Sequence, residues 1–162
     1  MFQKFLVLLI ILTLLNCKPG SDDKNTAPSD ISTLTEPTSE NSSGFEGVET
    51  LVGKYPKDVG LFEQFGLRNR LQKMMGKDFS DIDLFWKTES LIKTEDQILW
   101  TTGCADPECK ETILILVLDL IDNNINVYRF TGGQGRSFEE KGIIGLPSGL
   151  TAEFERIRKS RQ

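Results

Sequence analysis

The 162-residue chain contains no histidine. That absence removes Ser-His and Cys-His nucleophilic catalysis, histidine metal sites and histidine proton transfer from what the polypeptide does by itself. An excess of positive charge is also missing. Lys and Arg number 19 against 24 Asp and Glu, the formal net charge is −5, and the basic residues form no cluster. Nucleic-acid binding draws on a basic patch that neutralises phosphates, so no nucleic-acid partner is expected. Cysteine is scarce, and its count of three is odd for a chain that would use it only in pairs. No nucleophile is coupled to a base, which argues against an enzyme, and no cofactor motif is present. The run Gly132-Gly133-Gln134-Gly135-Arg136-Ser137 lacks the lysine that ends a phosphate-binding P-loop and reads as a flexible turn.

One long apolar run is present. Residues 5–15 are apolar except for Thr13, follow a single Lys4, and stop at Asn16-Cys17. The run is shorter than the ~20 residues of a membrane-spanning helix. It has the charge, length and ending of a secretory signal peptide and resembles that of bacterial lipoproteins, with Asn16 where the pattern prefers a small residue. The resemblance implies that residues 1–16 are removed and Cys17 is lipidated. One acyl chain binds a membrane only marginally, whereas two or three anchor it stably. Because Lys18, not an acid, follows the cysteine, the implied location is the cell envelope, at the outer membrane. Setting Cys17 aside leaves Cys104 and Cys109, the even number a disulfide requires in an oxidising compartment.

Residues 17–46 are dominated by Ser, Thr, Pro, Asp, Glu, Asn and Gly, too polar to offset the entropy of ordering. They are expected to form a tether with a reach on the order of 30 Å. Residues 47–162 are expected to form one α+β domain, with helices before a strand meander and a closing helix. Asp58 is placed to cap a short helix. Leu67, Leu71, Met74 and Met75 recur at helical spacing before Gly76, a left-handed terminator. Ser80 to Asp83 resemble a capping box ahead of Ile82, Phe85 and Trp86. Residues 89–94 and 97–103 flank a hairpin turn at Glu95-Asp96. The run from Thr112 to Leu118 suits a central strand covered on both faces. Asp122-Asn123-Asn124 is turn chemistry, and a strand follows to Phe130. After Pro147-Ser148, Leu150, Phe154 and Ile157 share one helix face. The pairs Glu139-Glu140 and Asp81/Asp83 read as solvated acids, and Trp100 becomes a binding candidate if it is exposed near the cysteines.

Cys104-Ala105-Asp106-Pro107-Glu108-Cys109 lies between two strands. Four intervening residues allow a disulfide with acceptable geometry, worth ~2 kcal/mol by chain entropy. The loop then serves either as a rigid tip for a partner's cleft or as a staple and nothing more. Redox and metal chemistry fit less well, because redox cysteines favour two intervening residues and a thiolate-stabilising setting, and the ligands here are few and mixed.

The cysteine-closed loop and its aliphatic strand resemble the inhibitor of vertebrate lysozyme family, called Ivy. The same order continues in residues 53–61, 71–76, Thr102-Gly103-Cys104 and 117–120, so the likeness spans roughly residues 53–130. It implies an antiparallel sheet with helices packed on it, a lysozyme partner, and a loop that enters the lysozyme cleft. The family loop carries a basic residue and a histidine; Ala105, Asp106, Pro107 and Glu108 stand there instead. Lysozyme cuts glycosides with two carboxyl groups, so two further acids in that cleft would repel them. The resemblance therefore supports the fold better than it supports inhibition, and the expected function is a lipid-anchored exported binding protein that presents the disulfide-closed loop to its partner, with lysozyme inhibition as what the resemblance implies. The alternative is a non-inhibitory surface lipoprotein with a structural or adhesive role.

Overall fold

The computed structural model describes residues 44–160. The signal segment, Cys17 and all but the last residues of the expected tether lie outside them. The described residues form an α+β sandwich. Four helices, α1 (Pro56–Val59), α2 (Leu67–Met75), α3 (Ser80–Phe85) and α4 (Ser148–Lys159), enclose six antiparallel strands. The strands are β1 (Thr88–Glu89), β2 (Lys93–Glu95), β3 (Ile98–Cys104), β4 (Thr112–Asp119), β5 (Asn124–Thr131) and β6 (Gln134–Glu139). The sheet order is β1-β3-β4-β5-β6, and β2 pairs with β3.

The middle strand explains the layering. In β4 every residue but the last is buried. Leu114, Leu116 and Leu118 enter one core with Leu67, Leu71, Met75 and Ile82 of the N-terminal helices. Ile113, Ile115 and Val117 enter a second core with Leu150 and Ile157 of α4. Each fully buried aliphatic side chain contributes about 2 kcal/mol, so one strand of alternating faces holds both helical layers. Phe45 is also buried, edge-on to Phe65 at 6.2 Å and beneath the Arg70 guanidinium.

Several local expectations are corrected. Asp58 caps nothing: Pro56 takes the first helical position, which suits its missing N–H, and Tyr55 precedes it. Ser80 does not form a capping box, because a 3-10 turn over Gly76–Phe79 runs straight into α3 and its hydroxyl turns back to the Lys77 carbonyl. Gly76 does have a positive φ, 58°, but its ψ of −124° lies outside the left-handed helical region.

The first hairpin turns at Asp96-Gln97, one residue later than expected. Both have positive φ, and Glu95 pairs with Ile98; a two-residue turn of this kind matches the natural strand twist. The strand before it is split because Ile92 bonds through its backbone to Gly53 and Lys54, not to the sheet. Gly132-Gly133 is a tight hairpin turn of the same type, and Gln134 to Glu139 form β6 where a bend was expected. Only Phe138 of β6 is buried, so the strand carries almost no apolar pattern.

The closing helix lies where the sequence put it, but its cap comes from afar. Glu95 accepts the Ser148 hydroxyl at 2.6 Å and the Gly149 N–H at 2.9 Å, satisfying an orphan donor of the first turn. Arg156, Arg158 and Lys159 in the last turn suit the helix dipole.

Candidate functional site

The last pair of the β3–β4 ladder is Cys104 with Ile113, and residues 105–111 connect the two strands. Cys104 is fully buried among the side chains beneath α4. A disulfide joins it to half-buried Cys109, with Cα atoms 5.3 Å apart. The clip therefore ties the loop's base to the second hydrophobic core and leaves its tip outside.

The loop sequence specifies its own turn. The Cys109 N–H donates to the Asp106 carbonyl at 3.1 Å, closing a four-residue turn with Pro107 in its second position, where a fixed φ helps. Asp106 Oδ1 accepts the N–H groups of Glu108 at 3.0 Å and Lys110 at 3.2 Å. Those backbone donors, Lys110 first, hold the Asp106 carboxyl below its usual range. Its second oxygen is shielded and has no hydrogen-bond partner among the described residues. Asp106 thus faces into the loop, and only Pro107 and Glu108 of the four intervening residues are exposed. Glu108 forms an ion pair with Lys110, whose side chain is 75% exposed.

The tip has neighbours that the sequence did not single out. Glu108, Cys109 and Lys110 share a cavity of about 370 Å³ with Gly132, Gly133 and Ser160, so the β5–β6 turn and the end of α4 lie against the loop. On the opposite face at this end of the sheet, Arg129 and Arg136 stand directly across from each other in β5 and β6. Like charges opposed in this way repel. Asp78 and Asp81, from the α2–α3 corner, offset that: Arg129 contacts both, and Arg136 contacts Asp78 at 3.1 Å. Asp81 is therefore a partly buried partner, not a solvated acid. Glu140 likewise receives the Arg70 guanidinium at 2.5 Å.

The aromatic candidates are placed elsewhere. Trp100 is 4% exposed beneath α4, so it offers no surface near the loop. Tyr128 and Phe130 pack edge-on against Phe154 at 4.8 and 5.4 Å. Trp86 lies flat on Gly103, where an added Cβ would approach the indole to 2.3 Å. Among the described residues, no group of three or more Cys, Asp or Glu side chains is arranged to hold a metal ion, and no helix is long and apolar enough to cross a membrane. What the site offers is a covalently closed tip with a neutralised charge pair and a proline at its apex.

In comparison with known families, the model described as inhibitor of vertebrate lysozyme (Ivy) matches residues 66–159, more than half of the chain. It starts later than the likeness read from the sequence and runs on through β6 and α4. No curated protein and no solved structure matches the chain.

Proposed function

We propose, from the premise that this chain belongs to the inhibitor of vertebrate lysozyme (Ivy) family, that it inhibits a lysozyme by presenting the loop closed by Cys104 and Cys109. The observation that carries this reading is the orientation of Asp106. Two outward acids would repel a pair of catalytic carboxyl groups. Asp106 is spent on the loop's own amides, and Glu108 is paired with Lys110. The tip therefore presents less negative charge outward than its sequence suggests, because Lys110 offsets Glu108 and Asp106, though ionised, turns inward. A tip held rigid before contact loses little entropy on binding.

The lipoprotein-like start supports an export route in which residues 1–16 are removed and Cys17 carries the anchor, with the domain held at the outer membrane beyond a tether. Mass spectrometry of the mature amino terminus tests this part separately; a terminus without acyl groups removes the anchor and leaves the inhibitor reading intact.

The deciding experiment titrates the full chain against c-type and g-type lysozymes while muramidase activity is followed. Loss of activity with at least one of them is expected. Full activity at tens of micromolar chain overturns the reading in favour of a structural or adhesive surface protein, which the exposed acids Glu108 and Glu111 and the missing histidine would suit.

A further inference from the structure

A second cleft, of about 330 Å³, opens on the helical side between α1, α3 and β1, and none of its lining residues belongs to the cysteine loop. Its size falls at the lower end of the about 300–1,000 Å³ usual for small-ligand sites. The floor is apolar: the rings of Phe62 and Trp86 meet edge-on at 5.0 Å, and Ile82 lies buried beside them.

The rim is polar and already organised. The Glu89 carboxylate takes the Lys57 N–H on one oxygen at 3.0 Å and the Trp86 indole N–H on the other at 3.2 Å. On the far side, Arg68 bridges Glu63 at 3.2 Å and Asp83 at 3.3 Å. Side chains held by neighbours in this way present fixed directions to a ligand.

The pairing decides the ligand's charge. An anion or cation entering here would compete with ion pairs that are already made. A neutral polyol would not, because a carboxylate oxygen has two lone pairs and a guanidinium has five N–H donors, so each group keeps unused capacity. Hydroxyls on an equatorial rim and C–H groups on a flat face match a polar ring around aromatic carbon. We propose that this cleft is a binding site for one pyranose ring of a neutral carbohydrate. The site is independent of the cysteine loop and does not rest on the lysozyme reading.

The test follows the indole N–H resonances of the isotopically labelled full chain during titration with methyl glucoside, methyl galactoside and N-acetylglucosamine, each into the millimolar range. Trp86→Phe assigns the two indole signals. A saturable shift of Trp86 with at least one sugar is expected, with Trp100 unmoved beneath α4. Arg68→Ala sits on the exposed rim and should weaken binding about tenfold, a loss of about 1.4 kcal/mol, while Glu89→Gln, of unchanged shape, should also weaken it. An unmoved Trp86, a shift that never saturates, or affinity unchanged in both variants overturns the proposal. So does a shift given by tetramethylammonium and by no sugar.

Discussion

The Asp106 carboxylate reaches across the neck of its loop to the backbone N–H of Lys110, 3.2 Å away. These amide bonds lower the Asp106 pKa, so the turn's stabilisation is complete above the unfolded carboxylate value of about 3.9 and is lost as pH falls through the lower folded value. Amide shifts of Glu108 and Lys110 should therefore titrate together with a midpoint below about 3.9. Asp106→Asn, which keeps an acceptor, should preserve the turn better than Asp106→Ala. A midpoint at or above the ordinary value would show that the carboxylate does not make these bonds.

Opening the clip should separate stability from inhibition. Cys104→Ser with Cys109→Ser removes a short closed loop, so the stability lost to chain entropy should be ~2 kcal/mol. Inhibition should fall further than that loss implies, because the tip must then be ordered during binding. Urea unfolding beside muramidase titration measures both. Equal inhibition by the open and closed forms would reduce the disulfide to a staple.

Arg129 holds the sheet to the α2–α3 corner. Its side chain is 22% exposed, and those of Asp78 and Asp81 are 17% and 15%. Arg129→Ala leaves two partly shielded carboxylates beside each other, and its cost should be about 2–3 kcal/mol in a urea midpoint analysis. Arg136→Ala removes a guanidinium that is 54% exposed and should cost under about 1 kcal/mol. The reverse order would mean that Arg136 carries the corner.

Asn126 is fully buried and fastens the chain that leads to α4. Its amide donates to the Gly142 carbonyl at 2.9 Å, and its oxygen accepts the Ile144 N–H at 2.8 Å. Asn126→Ala strands the Ile144 N–H, while the Gly142 carbonyl keeps the Asn124 amide at 3.0 Å, so a loss of about 1–3 kcal/mol is expected. The near-ultraviolet signal of Trp100 should change with it, since α4 covers that ring. A shift under about 0.5 kcal/mol, within the usual range for surface substitutions, would exclude this role.

The central strand was legible because burial on both faces leaves an unbroken apolar run, and Ile113 to Leu118 is one. The closing helix was legible from Leu150, Phe154 and Ile157. In contrast, β6 buries only Phe138 and starts beside two glycines, so its composition is that of a loop. The caps failed for a related reason. Asp58 and Ser80 have the right side chains, but Pro56 and the preceding 3-10 turn had already fixed where each helix begins.

Within the candidate site, spacing was enough to suggest the disulfide and the exposed tip. The direction of Asp106 was not read, although its signal was available. An aspartate directly before a proline is turn chemistry whose carboxylate takes N–H groups further along the loop, whereas the positive φ of Cys109 that accompanies the turn is visible only in the structure. Locally, Asn124 reads as part of a turn, and Asn126 simply sits between Ile125 and Val127. Their parity with Tyr128 and Phe130 puts them on the α4 face, where a polar side chain must find partners. The ion pairs of Asp81 and Glu140 depend on chain segments roughly fifty and seventy residues away, which no local pattern encodes.

The loop springs from β3 and β4, two inner strands with neighbours on both sides. A pull on the tip along those strands is borne by their ladders in parallel instead of peeling one pair at a time.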